Sequence, residues 1–229
     1  MNDVLSRRGA LKTIVALAWP TMLEQILEVA VSYVDSAMVG YIGAHATAAI
    51  GATATVNWLI GSSLIALGVG FLAYISREIG AQRPENARRA AAQAVFVALL
   101  VGTVLTAATL LLARRIPLWM HASADIAEDA GRYFFIIYIP MLFRTAIILF
   151  GTCLRAAGDT RTPLKVNIMV NLVNIVLNFL LIYPTRVISL FSLRFTMPGA
   201  GLGVSGAAIA SAISFVAGGV GMTLALFRH

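Results

Sequence analysis

Three carboxylates lie within the first membrane-length apolar stretch of the sequence, at Glu24, Glu28 and Asp35. At about 100° per residue around a helix, their spacing places them within roughly 40° of one another on one face. A charged side chain at the centre of a bilayer costs about 3 kcal/mol on insertion scales, so such residues usually face a bundle interior or an aqueous cavity. A stripe of three therefore predicts a path for an ion or a substrate through the membrane, which points to transport.

A second polar stripe lies in the fifth apolar stretch and consists of four asparagines, Asn167, Asn171, Asn174 and Asn178. On a helix they fall within roughly 60° of one another. Asn174 and Asn178 lie near the outer end of their stretch, as Asp35 does in the first, so the three meet if the two helices are adjacent. A carboxylate with amide oxygens suits a hard cation such as Na⁺, or a proton site. The alternative is that the asparagines only join neighbouring helices through hydrogen bonds worth about 1 kcal/mol or less.

Four further residues are candidates for the wall of such a cavity. Glu24 and Glu28 lie deeper toward the cytoplasm, with Asn171 on the asparagine stripe. Arg144, inside the fourth apolar stretch, is either their charge partner or a side chain that extends toward the membrane surface, and the sequence leaves both possibilities open. The sixth stretch is rich in small residues that allow close helix packing, and Ser211 among them could place a hydroxyl beside the Asp–Asn cluster.

These residues are carried by six apolar stretches, each long enough to cross the hydrocarbon core, which needs about 20 residues. We predict an all-α polytopic membrane protein, because 59% of the residues are hydrophobic and only 12% are charged. The mean hydropathy of +0.87 is too high for a soluble domain of this size. The predicted spans are residues 14–39, 46–74, 90–113, 133–154, 164–184 and 203–227 within one unit, residues 1–229.

The net charge of +7 predicts an orientation rather than a nucleic-acid partner. With the N-terminus inside, eleven Lys and Arg residues fall on the inner side of the membrane and five on the outer side, with Arg144 inside a span. Short cytoplasmic connections carry such an excess of positive charge. We therefore expect a multi-pass protein of the inner or plasma membrane, surrounded by lipid, with both termini of this chain cytoplasmic.

No motif for enzymatic chemistry is visible in the sequence. A glycine-rich phosphate-binding loop with its lysine is missing, so ATP is not expected to be the energy source on this chain. The single cysteine, Cys153, and the three isolated histidines match no metal-binding or nucleophilic pattern. We expect neither an enzyme nor a cofactor, apart from a coupling ion.

The sequence resembles the multidrug and toxic compound extrusion (MATE) transporters. The resemblance rests on several segments and extends from Leu11 to Phe227. The first segments are Trp19-Pro20, residues 34–43 (VDSAMVGYIG) and Gly80-Ala81. The others are residues 154–163 (LRAAGDTRTP), Asn174 with Asn178, and residues 206–211 (GAAIAS). No single motif is decisive, but their ordered set is specific.

The resemblance implies a twelve-helix transporter of two six-helix lobes, of which this chain is the N-terminal one. It implies a central cavity that opens alternately to either side, and export of drugs or toxic organic compounds driven by a Na⁺ or H⁺ gradient. Asp35 matches the acidic residue of the family's first helix, Asn174 and Asn178 match a pair on its fifth helix, and Ser211 matches a position where some members have Thr. Several members carry Asp at the position of Asn178, which leaves the choice between Na⁺ and H⁺ open.

Members of the family are roughly twice as long as this chain, so the C-terminal lobe is expected to be a missing partner, joined covalently or supplied in trans. We interpret the chain as a truncated form or gene fragment, with a self-pairing half-transporter as the less favoured possibility. Three rival functions are a flippase for lipid-linked oligosaccharides of the same broader superfamily, a membrane enzyme, and a non-transporting subunit or fragment. The acidic face favours cationic, amphipathic small molecules as substrates, and a flippase should have a more basic cavity.

Overall fold

The computed structural model describes residues 7–190 and 193–228, which form eight helices and a short antiparallel hairpin. The first helices are α1 (Arg7–Gly40), α2 (Ala44–Gly80), α3 (Pro84–Leu112) and the single turn α4 (Ile116–Trp119). They are followed by α5 (Ala124–Tyr138), α6 (Met141–Ala156), α7 (Arg161–Leu181) and α8 (Gly203–Arg228). Strands β1 (Pro184–Leu190) and β2 (Leu193–Ala200) connect α7 to α8.

Five of the described helices are long and apolar enough to cross a membrane, namely α1 (from Leu11), α2, α3, α7 and α8. The pair α5 and α6 forms a sixth span if its two bent halves are counted together. The predicted all-α, six-span architecture is therefore confirmed. Helix α2, at 37 residues, is about 55 Å long and extends well beyond a hydrocarbon core of about 30 Å.

The fourth span differs from its prediction as a single segment over residues 133–154. It begins at Ala124, and α5 and α6 meet at an angle of 53°. The bend lies at Pro140, which precedes the first residue of α6. Proline has no backbone N–H and its ring clashes with the preceding helical turn, so the helix is broken there.

The connection between the fifth and sixth spans forms a hairpin that the sequence analysis did not predict. Strand β1 pairs with β2 from Pro184 opposite Ala200 to Leu190 opposite Leu193, with an irregularity between Pro184 and Arg186. The predicted fifth span, 164–184, accordingly lies three residues too far along the chain, since α7 covers Arg161–Leu181. Pro184 disfavours a helical conformation of the residue before it, which explains the early end.

Helix α6 lies at the centre of the lobe and packs against α2, α3 and α8, whereas α1 packs mainly against α7. The largest buried cluster includes Leu64, Phe134, Tyr138, Met141 and Ala208, with the rings of Phe134 and Tyr138 stacked at 4.2 Å between centroids. Small residues of α8 permit its close contacts, as the sequence predicted. A Cβ added at Gly219 would lie 2.5 Å from the Cβ of Phe143 on α6.

Candidate functional site

A polar cavity of about 540 Å³ lies among α1, α2, α6, α7 and α8. Its wall contains all but one of the residues that the sequence analysis named as site candidates, namely Glu24, Glu28, Asp35, Arg144, Asn171, Asn174 and Ser211. The exception is Asn178, which is buried behind the wall and contacts Asp35. Periodicity predicted the shared face of Glu24, Glu28 and Asp35 on α1 and that of Asn171 and Asn174 on α7, because helical geometry fixes which positions share a face.

We name the two ends of the cavity outer and inner after the orientation predicted from the sequence. The outer end holds a group that we call the outer cluster: Asp35, Asn174, Asn178 and Ser211. It joins α1, α7 and α8. The Asn178 amide Nδ2 donates to Asp35 Oδ1 at 2.7 Å and to Asn174 Oδ1 at 3.0 Å. Asn174 Nδ2 in turn lies 3.1 Å from Ser211 Oγ. The structure thus brings together the four residues predicted for the coupling site.

One oxygen atom of the outer cluster has no hydrogen-bond donor. Asn178 Oδ1 is buried and accepts no hydrogen bond from any described residue. The Asn174 side chain can be placed in two orientations. In one, its nitrogen donates to Asp35 Oδ1 and Oδ2 at 3.0 and 3.3 Å, and its oxygen accepts from Ser211. In the other, its oxygen accepts from Asn178 and faces the carboxylate of Asp35, so that acceptor oxygens lie against each other.

Asp35 has no basic partner within the described part of the chain. Among residues 11–186 and 196–228, whose side chains the structure describes, no Lys, Arg or His forms an ion pair with it. Its recorded partner is the neutral amide of Asn178. The half-buried carboxylate of Asp35 is thus held here by an amide hydrogen bond rather than by an ion pair.

The inner end of the cavity holds a second group, which we call the inner cluster: Glu24, Thr152, Arg155 and Asn167. Arg155 Nη1 lies 3.2 Å from both carboxylate oxygens of Glu24, and Asn167 Nδ2 donates to Glu24 Oε1. Arg155 Nη2 donates to Thr152 Oγ1 at 3.2 Å. Glu24 is only 8% exposed, so this is a buried ion pair that links α1 to α6 and α7.

The sequence analysis missed Arg155 as a site residue and counted it among the charges on the cytoplasmic side. Arg144, the alternative that it named, forms no ion pair with a described residue, and its guanidinium lies 5.3 Å from the centroid of the Phe215 ring. The sequence did contain a signal for the inner cluster, namely equal residue separations in α1 and α7. Asn167 precedes Asn178 by the same 11 residues that separate Glu24 from Asp35, so the two pairs lie at matching depths.

The outer end of α1 has a further contact that sequence reasoning did not identify. The Tyr183 hydroxyl donates to the backbone oxygen of Met38 at 2.9 Å. The Tyr183 ring also meets the Tyr41 ring edge-on at 5.9 Å, and the Arg186 guanidinium lies 4.0 Å from its centroid. The base of the hairpin is thereby attached to the outer end of α1.

The fold and its intramembrane polar cavity define a multi-pass membrane protein with one lobe of a transporter. The MatE family model matches residues 20–180, and the chain belongs to this family. It is a family of transporters, so the prediction that the chain is not an enzyme is confirmed.

Individual relatives agree with this assignment. A protein named "Probable multidrug resistance protein NorM" from Thermotoga maritima is 31% identical over 95% of this chain and 45% of its own length. A crystal structure of MATE in complex with MaD3S has a TM-score of 0.84 at 26% identity, over 94% of this chain and 45% of that one. The outward-facing conformation of a multidrug resistance MATE family transporter of the MOP superfamily has a TM-score of 0.82 at 25% identity, over 94% and 45% of the two chains. The chain therefore spans somewhat less than half the length of the relatives that it matches.

Proposed function

We propose that the chain forms the N-terminal lobe of an exporter of drugs or toxic organic compounds, driven by a gradient of Na⁺ or H⁺ and completed by a second lobe. The observation that carries this proposal is the outer cluster, in which the carboxylate of Asp35 is held by amides and no described basic residue forms an ion pair with it. The carboxylate oxygens of Asp35 and the hydroxyl of Ser211, both on the cavity wall, are ligands of the kind that hard cations prefer.

The coupling step takes place at Asp35. While the cavity is open to the outside, the ionised carboxylate admits a proton or a Na⁺ ion. Neutralisation removes the cost of keeping a charge in a partly desolvated site, and α1 then repacks against α7. A coupling ion can bias two conformations only through its different affinity for them, so the surroundings of Asp35 must differ between the two.

The charge of the cavity favours cationic substrates. Three carboxylates line it against two arginines, and one of these, Arg155, is already paired with Glu24. Trp58 and Phe215 add aromatic surface to the same wall, and aromatic faces attract organic cations. This excess of acidic groups does not favour a flippase for lipid-linked oligosaccharides.

We further propose that the protein lies in the cell membrane with both ends of this chain in the cytoplasm. The excess of positive charge on the inner connections supports this orientation. It places the inner cluster near the cytoplasm and the outer cluster near the opposite surface.

The test is efflux of a fluorescent organic cation from proteoliposomes, with Na⁺ and pH varied independently. The chain is measured alone and together with a C-terminal lobe from a full-length relative. We expect gradient-dependent efflux only when both lobes are present, and its loss in Asp35→Asn. The matched control is Asp129→Asn, which neutralises an exposed carboxylate outside the cavity wall and should retain activity. Undiminished gradient-driven efflux by Asp35→Asn would rule out the proposed coupling site.

A further inference from the structure

Helix α1 is attached to its neighbours at two levels. Eleven residues separate Glu24 from Asp35, a rise of about 16 Å along the helix. Between these levels one side of α1 is uncovered in this lobe, with Ile26, Val29 and Tyr33 exposed by 61%, 54% and 74%. Because apolar packing holds α1 from one side only, the polar contacts at the two levels have a large share in fixing its position.

The two attachments respond differently to a cation. At the outer level the recorded link of Asp35 to α7 is a hydrogen bond from a neutral amide to a carboxylate, which changes when that carboxylate binds a proton or Na⁺. At the inner level the charge of Glu24 is already balanced by Arg155, which is itself held by Thr152. A mobile cation has little to gain at the inner level, because the guanidinium occupies the place that the cation would take.

The surroundings of Arg155 keep it in that place. Its side chain is only 23% exposed and that of Glu24 only 9%. Thr152 lies close against α2, because a Cβ added at Gly68 would be only 3.1 Å from Thr152 Oγ1. Asn167 contributes a further donor to Glu24 from α7. Helices α6 and α7 thus hold the part of α1 around Glu24, and α2 packs against Thr152 of α6.

We propose that Glu24 and Arg155 are positioning residues that fix the inner half of α1, so that the movement caused by cation binding is confined to its outer half. This inference rests on the proposed function, since it assigns a fixed point to the helix whose displacement couples cation binding to transport. Arg155 acts as an internal cation that makes the inner attachment independent of the ions outside.

The test measures spin-label distances in the 229-residue chain in lipid nanodiscs, on a Cys153→Ser background. One label pair, Ala37→Cys with Leu111→Cys, reports the outer level. A second pair, Met22→Cys with Phe96→Cys, reports the inner level, and all four positions are exposed. In the parent protein we expect Na⁺ or acidification to shift the outer distance by more than about 2 Å and to leave the inner distance unchanged.

Variants of the ion pair then test the inner attachment itself. Arg155→Gln should broaden the inner distance distribution even without added cation, and the exchanged pair Glu24→Arg with Arg155→Glu should narrow it again. Arg144→Gln, a second arginine of the cavity wall, is the matched control and should leave the inner distance unchanged. If Arg155→Gln does not fold, the comparison of Glu24→Gln with the exchanged pair decides the same question.

Two results would overturn the proposal: an inner distance that follows Na⁺ or pH in the parent protein, or a folded Arg155→Gln variant with an inner distribution as narrow as the parent's. Failure of the proposed function looks different. In that case the outer distance does not respond to either cation, while the effect of Arg155→Gln on the inner pair still decides whether the ion pair holds α1.

Discussion

The outer and inner clusters share three kinds of group, and each has one further side chain, Asn174 in the outer cluster and Arg155 in the inner one. Each has a carboxylate on α1, an asparagine on α7 that donates to it, and a hydroxyl on a third helix, Ser211 in one and Thr152 in the other. Only the inner cluster also contains a guanidinium, that of Arg155. The charge of the inner carboxylate is therefore balanced by Arg155, whereas the outer carboxylate, in the proposed mechanism, is neutralised by a cation from outside.

The stability of the lobe should therefore depend strongly on the charge balance at Glu24 and only weakly on the charge of Asp35. Removing one partner of a buried ion pair leaves an uncompensated charge and is strongly destabilising. Neutralising a carboxylate that has no charged partner removes a desolvation cost and should affect stability little.

The largest effect is expected for Arg155→Met, which leaves Glu24 buried without its cation. We expect the free energy of unfolding to fall by about 3–5 kcal/mol. The measurement is an SDS titration in mixed micelles, followed by circular dichroism. The double variant Glu24→Met/Arg155→Met should recover most of the loss, and Arg144→Met should lose much less. A loss below about 1 kcal/mol for Arg155→Met, the value of an exposed pair, would show that the ion pair does not stabilise the lobe.

A smaller effect is expected for Asn178→Asp, which places a second carboxylate 2.7 Å from Asp35 Oδ1. Two adjacent carboxylates repel each other and share a proton or a cation. We expect the apparent affinity for Na⁺ to rise about tenfold, which is about 1.4 kcal/mol. Thermal stability measured as a function of Na⁺ concentration reports this change. Asn171→Asp, on the same helix face but without a recorded contact to Asp35, is the control, and an equal gain there would argue against a specific site.

The smallest effect is expected for Tyr183→Phe, which removes the hydrogen bond to the Met38 carbonyl. The loss of stability should be about 1 kcal/mol or less, in line with hydrogen bonds between membrane helices. Hydrogen exchange should nevertheless increase in the last turns of α1, near Met38, and remain unchanged near Glu24. Tyr41→Phe keeps the ring contact and removes no recorded hydrogen bond, so it should leave both regions as they are. An equal increase at both ends of α1 would contradict the view that its two halves are held separately.

The outer cluster could be predicted from the sequence because its members lie on regular helices. The period of the helix places Asp35 on one face of α1, and Asn174 and Asn178 on one face of α7. Their shared depth follows from counting residues. The number of spans is predictable for the same reason, since the apolar lengths are fixed by the thickness of the membrane.

The features that could not be predicted from the sequence depend on the length of one side chain and on local backbone geometry. Arg155 lies at the end of α6, where charge alone assigns it to the cytoplasmic surface, but its long side chain extends into the cavity and reaches Glu24. The bend at Pro140 and the hairpin that begins at Pro184 interrupt apolar segments that hydropathy treats as continuous. Hydropathy reports how apolar a segment is and does not report where a missing N–H breaks its helix.

The most direct measurement of the central claim is cation binding to the 229-residue chain in nanodiscs. Na⁺ binding is followed by isothermal titration calorimetry, and proton uptake on acidification is measured in the same samples. We predict that the parent chain and Glu24→Gln/Arg155→Gln bind the cation, and that Asp35→Asn does not. If Asp35→Asn binds Na⁺ and takes up protons as the parent does, the cation site lies elsewhere and the contrast between the two clusters does not explain coupling.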